Sequence, residues 1–142
     1  MAGYSGTPLP KKLGLKEGQR VAIVAAPEGF DRELGPLPNG AVAARRGELD
    51  FAMLFAARQA ALARELAPLM RRLAPAGMLW VAWPKKASGV ATDLTFDVVQ
   101  RHGLELGLVD IKSCAVDDVW SGLKFVRRLA DRATAKPKRS TR

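Results

Sequence analysis

The sequence predicts a three-layer α/β domain with a mostly parallel sheet that ends in an antiparallel hairpin. Three observations lead there. The segments "RVAIVAAP", "LDFAMLFAA" and "MLWVAWP" are continuous apolar runs without polar alternation, the pattern of strands covered on both faces. Helical patterns separate them, and strand–helix alternation places helices on both sides of a parallel sheet. The last two strand patterns are joined only by "DDVWSG", too short for a crossover, so they must be antiparallel neighbours.

Taken in order, "RVAIVAAP" (20–27) follows the turn signal "KEGQ" and is the first strand. "PEGFDREL" then offers Pro27 and Gly29 as punctuation and one helical turn. "AVAA" (41–44) is a short second strand after Pro38, Asn39 and Gly40, and "LDFAMLFAA" (49–57) a third. In "RQAALARELAPLMRRLAPAG", Leu62, Leu66, Leu69, Met70 and Leu73 recur at spacings of three and four, which predicts a long amphipathic helix. Pro68 should kink or restart it, and Pro75 and Gly77 should end it. "MLWVAWP" (78–84) is the fourth strand. Thr92 or Asp93 is expected to cap a helix running to about His102 and stopping at Gly103. "GLVDIKSCAVDD" contains the fifth strand and "SGLKFVRRLA" the sixth.

At 142 residues and 48% hydrophobic content, the chain can bury a core as one domain. The expected division is an N-terminal arm over 1–19, a single α/β domain over 20–130, and a basic, disordered tail over 131–142. No run of about 18 uncharged apolar residues exists, so no membrane span is predicted. The opening "MAGYSGTPLPKK" lacks an apolar signal region, which makes cytoplasmic the expected location. Cys114 is the only cysteine and His102 the only histidine, so neither a disulfide nor a usual zinc site is expected, and no Ser-His-Asp or Cys-His machinery is visible.

The net charge of +9 is unevenly placed. Eight basic residues from Lys124 onward face one acid, Asp131, while residues 1–123 carry only +2. Nucleic acid is therefore expected only as a nonspecific partner of the C-terminal tail "ATAKPKRSTR", because no stacking platform or recognition-helix motif accompanies it.

A parallel sheet finishing in an antiparallel hairpin, with "LAPAGMLWVAWP" as helix end, turn and strand, resembles the Rossmann-like fold of class I methyltransferases. More closely, "GYSGTPLPKKLGLKEG", "APEGF", "LWVAWPKKASGVATDL" and "VDDVWSGLKFVRR", in that order across residues 3–129, resemble a bacterial family known as domain of unknown function 3052. That resemblance implies a small cytosolic α/β protein and no established activity. The methyltransferase resemblance implies an S-adenosylmethionine site, but its fingerprint is missing. Where a Gly-x-Gly loop lets backbone approach the cofactor, this chain reads "IVAAPEGF", with Gly29 alone, and "AVAARRGE" offers Arg45 and Arg46 where a ribose-binding acid is expected.

Three loops gather the candidate ligand-binding residues. Lys85, Lys86, Ser88, Gly89 and Thr92 follow the fourth strand at its carboxyl end, where open α/β sheets bind ligands, and they suit a phosphate or carboxylate. The competing reading is that Thr92 or Asp93 caps the next helix and the lysines are solvated. Asp117, Asp118, Trp120 and Ser121 form the hairpin turn. Paired carboxylates do acid–base work or hold a cation when burial separates their pKa values, whereas an Asx turn packed by a tryptophan is the structural alternative. A lock between this turn and Lys85 or Lys86 would merge the two groups. Glu28 in "PEGF" stands in the first loop. Tyr4, Ser5 and Thr7 belong to the arm, and Trp80 and Trp83, three apart on a strand, should enter opposite core layers. No catalytic residue or cofactor is assigned. The expectation is a non-catalytic binding protein for an anionic small molecule or a protein partner, with a methyltransferase carrying a degenerate cofactor loop as the alternative.

Overall fold

The computed structural model describes residues 7–132. Its six strands are β1 (Arg20–Val24), β2 (Val42–Ala43), β3 (Leu49–Phe55), β4 (Leu73–Pro84), β5 (Leu108–Ala115) and β6 (Trp120–Arg127), in the sheet order β2-β1-β3-β4-β6-β5. The four strands from β2 to β4 pair in parallel, and the β5–β6 hairpin adds to β4 antiparallel. Helices α1 (Leu9–Leu13), α2 (Phe30–Leu34), α3 (Gln59–Arg72) and α4 (Phe96–Glu105) complete the order.

Side-chain alternation along β3 and β4 divides the core into two layers. Phe51, Met53, Phe55, Trp80 and Ala82 pack with Leu13, Leu15, Phe30 and Leu34 from α1, α2 and their flanks. Ala52, Leu54, Leu79, Val81 and Trp83 pack with Leu62, Leu66, Leu69 and Val99 from α3 and α4. Trp80 and Trp83 thus enter opposite layers as their spacing requires. Full burial of each leucine contributes about 1.5–3 kcal/mol. The α1 segment lies within what reads as an arm, yet it is fixed to the sheet: the Trp80 indole N–H donates to the Leu13 carbonyl at 2.8 Å.

Two boundaries differ from expectation. The long helix stops at Arg72 rather than near Gly77, and β4 begins at Leu73, with regular pairing to β3 from Met78 onward. Pro75, two residues past the C-cap Leu73, cannot continue the helix, and a second support comes from far along the chain. The Arg127 guanidinium donates to the carbonyls of Met70 and Leu73 at 2.7 and 2.8 Å, satisfying backbone acceptors that the last helical turn leaves open. Pro68 lies inside the helix. The second difference is that α4 runs through Gly103 to Glu105. Gly103 does not stop the helix; it lets α4 approach β6, since a Cβ there would overlap the Phe125 ring.

Candidate ligand-binding site

The loop from Pro84 to Phe96 is held by its own polar side chains. Ser88 Oγ donates to the Lys85 carbonyl at 2.6 Å and accepts from the Val90 amide, closing a 3-10 turn over Lys86–Ser88. Gly89 ends that turn at φ 79°, a left-handed conformation that glycine adopts without strain. Ser88 and Gly89 therefore shape the loop and do not line the cleft described below.

Thr92 and Asp93 correct the expected cap. Thr95 caps α4, its hydroxyl accepting from the Val98 amide at 3.3 Å. Thr92 instead donates to the Ala57 carbonyl at 2.6 Å and accepts from the Leu94 amide. Asp93 Oδ1 accepts from the Gln59 amide at 2.8 Å, so its carboxylate caps the preceding helix, α3, across the chain. Arg58 at the N-cap of α3 offers no side-chain acceptor, and Asp93 supplies both the missing acceptor and a charge suited to the positive helix end.

Above this pinned loop lies a cleft of about 380 Å³, lined by Trp83, Pro84, Lys85, Lys86, Thr92, Leu94, Thr95, Phe96 and Ser121. A second opening of about 370 Å³ shares Trp83, Phe96 and Ser121 with it and extends over Ser113 and Ala115 on β5. Strand register explains the floor: Trp83 pairs with Ser121 and Ser121 with Ala115, in one row across three strands. Phe96 stands at the mouth with 41% of its surface exposed. The first turn of α4 faces the cleft through Thr95 and Phe96, bringing the positive end of a ten-residue helix toward it. No carboxylate lines either opening.

Of the residues singled out from sequence, Lys85, Lys86, Thr92 and Ser121 meet in this cleft. Asp117, Asp118 and Trp120 lie toward the other sheet face. Asp117 Oδ1 accepts from the amides of Val119 and Trp120 at 2.8 Å each, an Asx turn, and Trp120 packs edge-on against Phe55 with centroids 5.1 Å apart. The lock between this turn and the lysines is not formed by side chains: among the described residues neither lysine makes an ion pair with Asp117 or Asp118. The two loops meet through backbone, Lys85 N–H donating to the Val119 carbonyl at 2.7 Å.

The partner of the acidic turn is Glu33 on α2. Partial desolvation, then a hydrogen bond to Asp117 and the charges of Asp117 and Asp118, push the Glu33 pKa up to about 7. These three acids form no metal-ligating group among the described residues. Glu28 is exposed in the first loop, away from the cleft. There Ala25 takes φ 61°, the only positive φ of a non-glycine among the described residues. Tyr4 and Ser5 lie outside the described residues.

Sequence reasoning missed Thr95 and Phe96. Phe96 reads as an ordinary apolar helix residue, and nothing local shows that its turn overhangs Trp83.

The fold is shared with solved methyltransferases. A magnesium protoporphyrin IX methyltransferase from Synechocystis with bound S-adenosylhomocysteine superposes with a TM-score of 0.57 at 11% identity, covering 84% of this chain and 78% of that one. A ribosomal protein L11 methylase from Lactobacillus delbrueckii gives 0.56 at 11% identity, with coverages of 84% and 75%. A SAM-dependent methyltransferase from Aquifex aeolicus gives 0.56 at 13% identity, with coverages of 81% and 85%. At these identities the likeness establishes the methyltransferase-like fold. No protein-family model and no curated protein matches the chain. No helix among the described residues is long and apolar enough to cross a membrane.

Proposed function

We propose that this chain is a binding protein for a small anionic molecule that also carries a flat or apolar portion. One observation carries the reading: Lys85, Lys86 and the α4 N-terminus share a carboxylate-free cleft with Trp83 and Phe96. The lysines and the helix end supply positive potential for a phosphate or carboxylate, while the exposed Phe96, beside the largely buried Trp83, supplies surface for a ring or acyl chain. Thr95 and Ser121 add hydroxyls able to donate or accept. The reading as a binding protein rests on this charge and aromatic complementarity. The resemblance of four motifs to domain of unknown function 3052 implies no activity, and no family model matches the chain.

Isothermal titration with nucleotides, S-adenosylmethionine and acyl phosphates tests it. The expected result is saturable binding by at least one of these, weakened tenfold or more by Lys85→Ala with Lys86→Ala, about 1.4 kcal/mol or more. Saturable binding unchanged in the double variant would remove the cleft from consideration.

A second reading, an S-adenosylmethionine-dependent methyltransferase, is favoured by the shared fold, seen in one relative with S-adenosylhomocysteine bound. Against it stands the first loop, where Ala25, Ala26 and Pro27 replace the glycines that allow close backbone approach. A rise of several degrees in Tm on adding S-adenosylhomocysteine, retained in the double lysine variant, would favour this reading over the first.

A further inference from the structure

The sheet face opposite the cleft carries a second positively charged surface. Lys112 on β5 and Lys124 on β6 are direct register partners, and Lys124 pairs in turn with Trp80 on β4. This row faces α1. Lys112 Nζ donates to the Lys12 carbonyl at 3.3 Å, and Lys12 Nζ reaches across to the Ala115 carbonyl at 2.7 Å. Lys16, just beyond α1, is close enough to act on Lys124 electrostatically. Like charges directly opposite on neighbouring strands are destabilising. None of these four lysines makes an ion pair among the described residues; the acids of this face, Asp117 and Asp118 with Glu33, gather at the tip of the hairpin.

Lys124 is the informative member. Its ammonium lies 6.0 Å from the centroid of the Trp80 ring, half-buried and without a hydrogen-bond partner among the described residues. Burial, then Lys112 and Lys16, push its pKa down. Gly14 leaves room for it, because a Cβ there would stand 3.3 Å from Lys124 Nζ. The arrangement costs stability in the free protein, and a bound anion would offset that cost.

The donor chemistry selects an extended phosphodiester over a small anion. All four donors are lysines, point charges without the planar forks or clustered amides that fix one small phosphate. Lys12 and Lys112 each use one N–H on a carbonyl and keep two for an outside acceptor. Lys112 Nζ reaches the Lys12 carbonyl and Lys12 Nζ the Ala115 carbonyl, so the charges are spread between α1 and β5 and do not converge on one point. We infer that the face formed by α1 and the β5–β6 hairpin binds the phosphate backbone of a nucleic acid through Lys12, Lys16, Lys112 and Lys124, without reading sequence.

The test is fluorescence anisotropy of a labelled duplex DNA titrated with the full chain at about 50–200 mM salt. Lys16→Gln with Lys112→Gln should lower the slope of log K against log salt by about 2, since each neutralised phosphate contributes about 0.9. Deleting residues 133–142 should leave part of the binding, and that part should still respond to the two glutamines. Lys124→Met should weaken DNA binding while raising Tm, which a lysine kept only for structure would not do. The proposal is overturned if the glutamine pair leaves affinity and slope unchanged, or if deleting the tail abolishes binding. It is also overturned if inorganic phosphate at about the DNA concentration displaces the duplex, or if anionic lipid vesicles are bound and DNA is not.

Discussion

Replacing Asp93 with alanine removes the carboxylate that accepts the Gln59 amide at 2.8 Å and caps α3 from a loop 34 residues away. The loss combines an N-cap hydrogen bond, about 1 kcal/mol, with a charge–dipole contribution of about 0.3–1 kcal/mol. The expected cost is about 1–2 kcal/mol, or a fall in Tm of about 3–8 °C for a chain of this size. Asp93→Asn keeps an acceptor but loses the charge, so it should cost only about 0.3–1 kcal/mol. Urea unfolding followed by tryptophan fluorescence measures both. Because Asp93 also anchors the loop beneath the cleft, Asp93→Ala should weaken any ligand held by Lys85 and Lys86, whereas Asp93→Asn should do so less. If both variants unfold within about 0.3 kcal/mol of the parent, Asp93 does not carry the cap and the loop is held by something else.

Three further outcomes follow from contacts elsewhere. Gly103→Ala should destabilise by about 1–3 kcal/mol in urea titration although alanine is the better helix former, because its methyl group meets the Phe125 ring. Trp80→Phe leaves the Leu13 carbonyl without its donor and should cost about 1–3 kcal/mol, with α1 becoming more sensitive to proteolysis. Glu33 is a carboxyl whose folded pKa is raised to about 7 from 4.5. Its contribution to stability is therefore present below pH 4.5 and lost as pH rises through about 7. Its exposure and solvent screening hold that contribution to about 1 kcal/mol or less. Glu33→Gln should flatten the dependence of Tm on pH across this window, and an unchanged pH slope would count against the Glu33–Asp117 contact.

The parallel part of the sheet was legible in the sequence because β1, β3 and β4 are uninterrupted apolar runs, and the hairpin because "DDVWSG" leaves no room for a crossover. What escaped depends on contacts distant along the chain. In "ATDLTF" three residues are capable of capping α4, and the choice falls to Thr95 because Thr92 and Asp93 are engaged with Ala57 and Gln59. The end of α3, where Pro75 stops the helix, is likewise braced by Arg127, 54 residues beyond Leu73. The separation of the lysines from the acidic turn follows from strand alternation. Trp120 and Ser121 are adjacent on β6 and face opposite sides of the sheet, which left Ser121 with the lysines and Trp120 with Phe55 and Asp117.

The most direct test is amide chemical-shift mapping while nucleotides, S-adenosylmethionine and acyl phosphates are titrated in turn. Lys85 and Lys86 in the cleft predict saturable shifts confined to residues 83–86, 92–96 and 121, abolished in the Lys85→Ala, Lys86→Ala variant. Shifts centred on residues 25–29 and 56–59 would place the ligand at the end of β1 instead, and no saturable shift with any of these compounds would contradict a small-anion site.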